Sequence, residues 1–319
     1  MVKIIAELCQ NHKGDFNNIQ KMIYAAAEAG ATYAKVQSML ADDLTFRERF
    51  EEGKVENGKI IVIKRPYKQE YERLKPMDLT DEMHYKFIDE CKAAGIRPLT
   101  TVFSRSRIPF LASLPWPERH IKIASYDCAS FPMIHELKER FDHLYISTGA
   151  TFDEEIKKTS EILSGHNFSF LHCVTIYPTP LDKLNLARIN WLRQFTPEVG
   201  FSDHTLVERD GLKAAIVALF MGADIIERHF TILDRTQTKD GPISIKPDEL
   251  KQLVEFASMS KAELEDYIEK NIPEWKQMVG TERPGLSYEE LLNRDYYRGR
   301  FASKVGNEII YNWEEKKVF

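Results

Sequence analysis

Eight short β-rich segments alternate with helical segments along the chain, and this alternation limits the available folds more than any other feature. The helical segments carry apolar residues at helical spacing, as in Ile19, Met22 and Ile23. Strict alternation predicts a parallel sheet, and eight strand–helix units within about 250 residues predict a closed (β/α)₈ TIM barrel. An open doubly wound sheet would alternate too, but no G-x-G-x-x-G motif follows the first strand. The predicted strands cover residues 3–8, 33–37, 97–103, 120–124, 144–147, 168–172, 199–202 and 224–229.

Two stretches depart from this repeat. Residues 41–77 form a long charged insertion after the second strand, and its E-E-G-K-V-E-N-G-K segment is typical of a hairpin. From residue 261 the chain becomes polar and helical, and residues 279–319 are too few to build a large core of their own. We therefore predict a barrel domain over residues 1–260 and a short C-terminal extension over residues 261–319.

Composition and charge exclude several classes of function. Hydrophobic residues make up 43% of the 319 residues and charged residues 29%, a balance typical of globular proteins. The net charge of −5 and the absence of basic runs argue against nucleic-acid binding. The longest apolar run, residues 214–221, is too short to span a membrane, and the start of the chain is unlike a signal peptide. The four cysteines are far apart, so we predict buried core thiols in a soluble cytoplasmic protein.

Polar and ionisable residues follow nearly every predicted strand. The active sites of TIM barrels lie at the C-terminal ends of the strands, where these residues would converge. A purely structural barrel has little reason to place them there, because an unpaired buried charge costs several kcal/mol. The residues concerned are Glu7, Lys35, Gln37, Lys122, Ser125, Asp127, Ser147, His172, Thr175, Tyr177, Ser202, Asp203, His204, Glu227 and His229.

Two pairs among these residues indicate particular chemistry. His204 and His229 follow neighbouring strands and suit a divalent metal ion with open positions, although a structural histidine pair is the alternative. Lys35 and Lys122 lie in or just after apolar strands, and two lysines facing one barrel mouth form a site for phosphate and carboxylate. Surface lysines are the alternative there. The residues thus predict an anionic substrate and a metal without naming either.

The remaining polar residues have structural alternatives. Ser125, Ser147 and Ser202 occupy positions where a serine either caps the following helix or binds phosphate, and both roles are compatible. Glu227 and Arg228 are adjacent, and we interpret them as an ion pair inside the barrel rather than as catalytic groups.

Seven ordered strings carrying these residues resemble the sialic acid synthase family, which comprises the N-acetylneuraminate, legionaminate and pseudaminate synthases. The similarity runs from residue 3 to about residue 255. The strings are IAELCQNHKG at 5–14, KVQ at 35–37, KIAS at 122–125, STG at 147–149, HCVTIYPTP at 172–180, GFSDHT at 200–205 and IERHFT at 226–231.

This resemblance implies an enzyme and its substrates. The family is made up of transferases that join phosphoenolpyruvate to the open-chain aldehyde of an N-acylated hexosamine or related aldose. They use Mn²⁺ or Mg²⁺, release phosphate, and form a nonulosonic 3-deoxy-2-ulosonate for surface polysaccharides. By position, it implies Glu7, Asp127 and His229 as catalytic residues, Lys35, Lys122, Ser125, Ser147, Thr175 and Ser202 as phosphoenolpyruvate ligands, Gln37, Tyr177 and Asp240 as sugar ligands, and His204 and His229 as metal ligands.

The chain departs from the family pattern at several positions. Asp127 stands where the family typically has Glu, and Thr175 stands where it usually has Asn. The C-terminal extension resembles the opening of the family's antifreeze-like domain, which in full-length members supplies an arginine to the sugar in the partner subunit. We therefore expect Arg298 or Arg300 to provide that donor.

The aromatic residues beside these arginines suggest how the extension is placed. Tyr296, Tyr297 and Phe301 could dock it on a neighbouring subunit, which would make the protein a homodimer. The alternative is an extension that packs on its own barrel and leaves both arginines in solvent.

Two other functions are compatible with the sequence. The first is a Schiff-base aldolase that uses pyruvate, with Lys122 as the nucleophile. The second is a barrel that binds a sugar acid without turnover. The intact lysines, serines and histidines favour the synthase.

Overall fold

A closed barrel of eight parallel strands forms the centre of the molecule in the computed structural model, which describes residues 2–319. The predicted TIM barrel is confirmed, and each predicted strand overlaps an observed one. The strands are β1 (Lys3–Glu7), β2 (Tyr33–Ser38), β3 (Lys54–Glu56), β4 (Lys59–Val62), β5 (Arg97–Val102), β6 (His120–Ile123), β7 (His143–Ser147), β8 (Asn167–Cys173), β9 (Val199–Asp203), β10 (Ile225–His229), β11 (Ala302–Val305) and β12 (Glu308–Tyr311). Around the barrel their order is β1-β10-β9-β8-β7-β6-β5-β2.

Helices surround the barrel and cover the outer face of its sheet. Within residues 2–319, none of them is both long enough and apolar enough to cross a membrane. The helices are α1 (Phe16–Glu28), α2 (Arg49–Glu52), α3 (Tyr67–Leu74), α4 (Asp81–Ala94), α5 (Ile108–Ser113), α6 (Phe131–Lys138), α7 (Asp153–Ile162), α8 (Arg188–Leu192), α9 (Val207–Asp210), α10 (Lys213–Phe220), α11 (Pro247–Ser258), α12 (Lys261–Asn271), α13 (Trp275–Val279) and α14 (Tyr288–Tyr297).

Capping residues define the helix ends. Asp15 accepts a hydrogen bond from the backbone N–H of Asn17 at the start of α1. Ser287 and Glu290 form a capping box at the start of α14, which satisfies two backbone N–H groups of the first turn. Gly95 ends α4 in the left-handed conformation, where a side chain would be unfavourable.

The inside of the barrel consists of an apolar layer below a polar layer. Six buried residues from six strands fill the apolar layer: Ile5, Tyr33, Leu99, Tyr145, Leu171 and Ile225. Side chains alternate between the faces of a strand, so the residue two positions later also points inward, one layer nearer the C-terminal end. Those residues are Glu7, Lys35, Thr101, Ser147, Cys173 and Glu227. The alternation of side chains along each strand therefore produces both the apolar layer and, nearer the C-terminal ends, a ring of mostly polar side chains.

The insertion and the C-terminal extension meet over the C-terminal ends of the strands. In the insertion, β3 and β4 pair as the predicted hairpin. Phe301 from the extension packs in an apolar cluster with Leu44 and Leu74 of the insertion. Thr45 donates a backbone hydrogen bond of 3.0 Å to the carbonyl of Arg300. The insertion and the C-terminal extension, which are far apart in the sequence, therefore cover the barrel mouth together.

Candidate active site

A cavity of roughly 310 Å³ occupies the mouth of the barrel. Its floor is the polar layer of the barrel, and its walls include residues of the insertion and of the C-terminal extension. Twelve of the thirteen residues to which the resemblance assigns a role line it: Glu7, Lys35, Gln37, Lys122, Ser125, Asp127, Ser147, Tyr177, Ser202, His204, His229 and Asp240. His172 and Asp203, which also follow predicted strands, do not line it. Side chains from all eight predicted strands and their loops thus converge on one space.

Thr175 is the exception among the thirteen residues. It is fully buried beside the cavity rather than in its lining. Its backbone carbonyl accepts a 2.7 Å hydrogen bond from the side chain of Asn293, in α14. Its methyl group also lies where a side chain on Gly149 would have to go, 2.6 Å from an ideal Cβ. In this structure Thr175 supports the extension and the loop after β7.

The two predicted lysines lie together at the floor of the cavity, and each is 3% exposed. The Lys35 ammonium contacts Glu7, donates to the Thr101 hydroxyl at 2.9 Å, and lies 3.4 Å from Glu227. The Lys122 ammonium donates to the Ser147 hydroxyl at 2.7 Å. Burial, opposed by Glu227, lowers the pKa of Lys35 to about 8.

The position of Glu227 differs from the one that was predicted from the sequence. The expected Glu227–Arg228 ion pair is wrong, because adjacent residues on a strand point to opposite faces of the sheet. Arg228 points outward and pairs with Asp203, and both side chains are completely buried. Glu227 points into the cavity, lies 3.8 Å from the Lys122 ammonium, and accepts a 2.7 Å hydrogen bond from Ser202. Burial raises its pKa, but Lys122 and Lys35 more than offset this and hold the pKa at about 2.

The serines form hydrogen bonds at the same floor. The Ser125 hydroxyl accepts a 3.2 Å hydrogen bond from the backbone N–H of Gly149. An ideal Cβ at Gly149 would lie 3.0 Å from that hydroxyl, so a side chain there would displace it. The Ser147 hydroxyl accepts a hydrogen bond from the Lys122 ammonium. The Ser202 hydroxyl donates a hydrogen bond to the Glu227 carboxylate. All three hydroxyls face the cavity rather than capping a helix.

His204 and His229 lie side by side at the cavity wall, with their ring centroids 5.1 Å apart. Burial lowers the pKa of both imidazoles, and the proximity of His229 lowers the pKa of His204 further. Neutral imidazoles offer the free lone pair that a metal ion needs. The Nδ1 atom of His229 is buried and has no hydrogen-bond partner among residues 2–319. The pair therefore has the donor chemistry expected of a metal site.

Cys9 was predicted to be a core thiol, and the structure places it instead in the cavity lining. Its Sγ lies 2.8 Å from Oδ2 of Asp240, and burial together with that carboxylate raises the pKa of the thiol. Its backbone has φ of 45°, a left-handed conformation that costs a non-glycine residue about 1–2 kcal/mol. Cys91 and Cys128 do pack in the core, as predicted. The signal that sequence reasoning missed was the position of Cys9, two residues after the inward-pointing Glu7.

Asp127 lies just after β6 and lines the cavity. It accepts hydrogen bonds from Ser130 at 2.8 Å and from Asn312 at 3.0 Å. Burial raises the pKa of Asp127, and those two hydrogen bonds only partly oppose the effect. The raised pKa favours the protonated form, so this carboxyl group is suited to donate a proton.

The residues predicted to face the sugar lie nearer the opening. Tyr177 is 45% exposed, and its ring lies nearly perpendicular to that of His204 with the centroids 4.6 Å apart. Gln37, the last inward-pointing residue of β2, lies two positions beyond Lys35. Arg65, Arg73 and Lys239 add three further cations to the cavity lining, and none of them was identified from the sequence.

The C-terminal extension packs on its own barrel, so the predicted docking of its aromatic residues on a neighbouring subunit is not what the structure contains. Tyr297 stacks on Tyr126, with the ring centroids 4.9 Å apart. Tyr296 packs against Phe50 of the insertion. Phe301 is buried against the same insertion.

Neither arginine of the extension is solvated, which corrects the alternative arrangement as well. Arg300 lines the cavity, is 9% exposed, and donates to Glu70 at 2.6 Å. Arg298 is half-buried and lies 3.3 Å from Glu155. The extension therefore contributes a guanidinium to the site of its own chain.

Comparison with known proteins places this geometry in a family. The model of the NeuB family matches residues 22–269. The N,N'-diacetyllegionaminic acid synthase of Legionella pneumophila is 32% identical over 261 residues, which are 79% of this chain and 70% of that protein. The pseudaminic acid synthase of Campylobacter jejuni is 30% identical over 307 residues, which are 95% of this chain and 82% of that protein.

A solved structure agrees with these matches. The N-acetylneuraminic acid synthetase of Leptospira borgpetersenii, solved with citrate, superposes with a TM-score of 0.68 at 25% identity. The match covers 92% of this chain and 90% of that one. Because the family model matches most of the chain and the fold agrees along nearly all of it, this protein belongs to the NeuB family, the family of sialic acid synthases that its sequence resembles.

Proposed function

We propose that this protein condenses phosphoenolpyruvate with the open-chain aldehyde of an N-acylated hexosamine, releasing phosphate and forming a nonulosonic acid. The relatives named above are synthases of such acids. The observation that carries the proposal is the cavity floor, where two buried lysines and three serine hydroxyls lie beside two neutral histidines. The charged floor can bind anionic phosphoenolpyruvate. The wall that carries the two histidines can bind the aldehyde that phosphoenolpyruvate attacks.

Phosphoenolpyruvate would bind at the floor. Lys35 and Lys122 supply charge for the phosphate and carboxylate, and Ser125, Ser147 and Ser202 supply hydroxyl donors. Glu227 holds the lysines and Ser202 in place before substrate arrives. The absence of a side chain on Gly149 leaves Ser125 free to turn toward the phosphate.

A divalent metal ion is the cofactor implied by the family, as Mn²⁺ or Mg²⁺, and the histidine wall fits such an ion. His204 and His229 would hold it, because both are neutral and the Nδ1 of His229 has no other partner in the described chain. When bound, the ion supplies Lewis-acid polarisation of the aldehyde oxygen and charge for the alkoxide that forms there.

Two carboxyl groups would move the protons. C3 of the enol forms the new bond to the aldehyde carbon, and the resulting cationic C2 takes up water, after which phosphate leaves. Glu7 accepts a 2.7 Å hydrogen bond from the backbone N–H of Cys9 and contacts the Lys35 ammonium, and it would act as the base for that water. Asp127, with its raised pKa, would protonate the developing alkoxide.

The outer cavity would hold the acceptor sugar. Gln37, Tyr177 and Asp240 provide an amide, a hydroxyl and a carboxylate group for its hydroxyls, and Arg300 of the extension adds a donor for its N-acyl carbonyl. Within the described residues, the extension lies on its own barrel and contributes Arg300 to the lining. That the protein forms a homodimer and is located in the cytoplasm remain predictions made from the sequence.

The deciding experiment is a phosphate-release screen. Purified protein is incubated with phosphoenolpyruvate, Mn²⁺ and a panel of N-acylated hexosamines, other aldoses and pentose phosphates. We expect release only with an aldose acceptor, sensitivity to a chelator, and no pyruvate adduct on borohydride reduction. A reducible pyruvate adduct would instead establish the Schiff-base aldolase. Calorimetric binding of phosphoenolpyruvate with no product from any acceptor would establish the binding protein.

A further inference from the structure

We propose that a second cavity, behind the loop that follows β7, binds a neutral monosaccharide, and that its occupancy strengthens phosphoenolpyruvate binding at the barrel mouth. The second half of this inference rests on the proposed function, because it concerns the floor of the active site. The second cavity has a volume of roughly 360 Å³, which is in the usual range for small-ligand sites. Residues 283–286, which precede α14, form one wall, and the loops after β7 and β8 contribute to the others.

The first argument is a hydrogen-bond acceptor without a partner. His172 of β8 lines the second cavity and is 2% exposed. Its Nε2 atom donates to the carbonyl of Leu184 at 2.6 Å, because a carbonyl oxygen only accepts. Burial lowers the pKa of His172 to about 4, so the ring is neutral near neutral pH and Nδ1 carries a lone pair. This Nδ1 is buried and has no hydrogen-bond partner among residues 2–319. A ligand that contacts it must donate a proton, as a hydroxyl group does.

The second argument is the balance of charge around the second cavity. Arg188 and Arg283 both donate to Asp153, at 2.6 and 2.5 Å. Such pairs place donors and acceptors side by side, and a sugar hydroxyl can use both. A charged ligand would leave one charge uncompensated in this wall, which is unfavourable where the wall is buried. The ionisable side chains of the lining comprise three cations and three anions: Lys183, Arg188, Arg283, Asp153, Glu154 and Glu290.

The third argument is an apolar side chain among these polar ones. Phe152 lines the second cavity and is 47% exposed, and Pro284 lies in the lining as well. A pyranose ring has hydroxyl groups at its edge and C–H groups on its faces. It therefore needs both polar partners and an apolar surface, and an aromatic ring provides the second. The second cavity offers this combination to a neutral sugar.

The loop after β7 connects the second cavity to the active site. Ser147 faces the active-site cavity. The Thr151 hydroxyl donates to the carbonyls of Ser125 and Gly149, and the Gly149 N–H donates to the Ser125 hydroxyl. A sugar packed behind this loop would hold both serines in their present positions. Phosphoenolpyruvate would then lose less entropy on ordering the loop and bind more tightly. The loop residues that line the second cavity are Thr148, Ala150 and Thr151.

The test is calorimetric titration of the full chain with methyl pyranosides of glucose, mannose, galactose and N-acetylglucosamine. These glycosides cannot open to an aldehyde, so none is an acceptor in the proposed reaction. Without phosphoenolpyruvate or metal, we expect at least one of them to bind with one molecule per chain. The glycoside of the corresponding uronic acid should bind more weakly, because it carries a negative charge. Saturating glycoside should lower the Kd of phosphoenolpyruvate at least about fivefold.

Variants of the lining assign the binding to this cavity. His172→Gln keeps an amide donor for the Leu184 carbonyl and removes the Nδ1 acceptor, so it should bind the glycoside at least about tenfold more weakly. Its Kd for phosphoenolpyruvate without glycoside should not change. Phe152→Ala should also weaken glycoside binding. Tyr85→Ala is the matched control, because Tyr85 is 44% exposed and lines neither cavity, and it should bind as the unmodified protein does.

Thermal unfolding of each variant shows whether it is folded. The inference is overturned if no glycoside binds, or if folded His172→Gln binds it as tightly as the unmodified protein. It is also overturned if bound glycoside leaves the Kd of phosphoenolpyruvate unchanged or raises it.

These outcomes are separate from those of the proposed function. A protein that binds a glycoside through His172 but binds no phosphoenolpyruvate would retain the sugar site and lose the proposed reaction. A protein that releases phosphate from phosphoenolpyruvate with an aldose acceptor, but binds no glycoside, would retain the reaction and lose the second site.

Discussion

Each lysine at the cavity floor is matched by a carboxylate, and this balance explains how two ammonium groups remain buried together. Glu7 contacts Lys35, and Glu227 lies within 4 Å of both Lys35 and Lys122. An unpaired buried charge would cost several kcal/mol, so the carboxylates keep the anion site assembled before substrate binds. Burial still lowers the pKa of Lys35 to about 8, although Glu227 opposes the effect.

The pH dependence of phosphoenolpyruvate binding follows from that pKa. Lys35 is charged below about pH 8 and loses its proton as the pH rises through that value, so the attraction for the substrate falls. We expect the KM for phosphoenolpyruvate to increase above pH 8, while the KM for the acceptor sugar changes little. Steady-state kinetics from pH 6.5 to 9.5 (about one and a half units either side) measure this directly.

Glu227→Gln is the control for this assignment. The Glu227 carboxylate favours the charged form of Lys35, so its removal lowers the pKa of Lys35 further. The rise in KM should therefore move to lower pH in this variant. A rise that stays in place, or moves to higher pH, would show that another group titrates.

Substitution of the lysines tests the division of the cavity into two halves. Lys35→Met and Lys122→Met each remove a charge that faces the floor, where phosphoenolpyruvate would bind. Each should raise the KM for phosphoenolpyruvate by at least about tenfold and change the KM for the sugar much less. Equal effects on both constants would mean that the lysines do not separate the two substrates as proposed.

At the scale of the elements, the period of two along each strand explains both what the sequence predicted and what it missed. The eight strands were located from their composition, and the polar residues at their ends were recognised as a site. Alternation applied to β10 would also have assigned Glu227 to the lumen with Ile225 and His229, and Arg228 to the outer face. Instead, adjacency in the sequence was taken as a contact. Strand periodicity therefore carried more information about the site than residue type did.

The outward-facing pair on β9 and β10 gives a stability prediction. Asp203 and Arg228 are completely buried, and Asp203 also accepts hydrogen bonds from the backbone and hydroxyl of Thr205. Asp203→Ala leaves the guanidinium uncompensated, and we expect the free energy of unfolding to fall by about 3–5 kcal/mol in urea denaturation.

The exposed pair of Lys64 and Glu52 provides the comparison for that measurement. Glu52→Ala should cost less than about 1 kcal/mol, because solvent screens the pair. If Asp203→Ala were equally mild, Asp203 would not be the structural partner of Arg228, and its place at the end of a barrel strand would need a catalytic explanation.

At the scale of the whole molecule, the packing of the insertion and the C-terminal extension over the cavity could not be predicted from the sequence. Asn312 donates to Asp127 across 185 residues of sequence, and Arg300 donates to Glu70 across 230. Such contacts produce no periodic pattern in the sequence, because the two partners belong to elements that are far apart along the chain. The aromatic residues of the extension were recognised as anchors, but an anchor does not specify whether it packs on its own barrel or on another. That choice depends on the three-dimensional fit of the insertion and the extension.

Packing of the extension on its own barrel leads to the last prediction. Arg300→Met removes the guanidinium from the cavity, while Glu70 keeps two hydrogen bonds from Arg73. The variant should therefore stay folded and bind phosphoenolpyruvate as before, with a KM for the sugar raised at least about tenfold.

Mixing Arg300→Met with Lys122→Met, which lacks a charge at the cavity floor, then tests which chain supplies the arginine. If each site is built from one chain, the mixture should be no more active than the sum of its parts. Activity restored on mixing would mean that one subunit completes the site of another, and that the extension exchanges between barrels in solution.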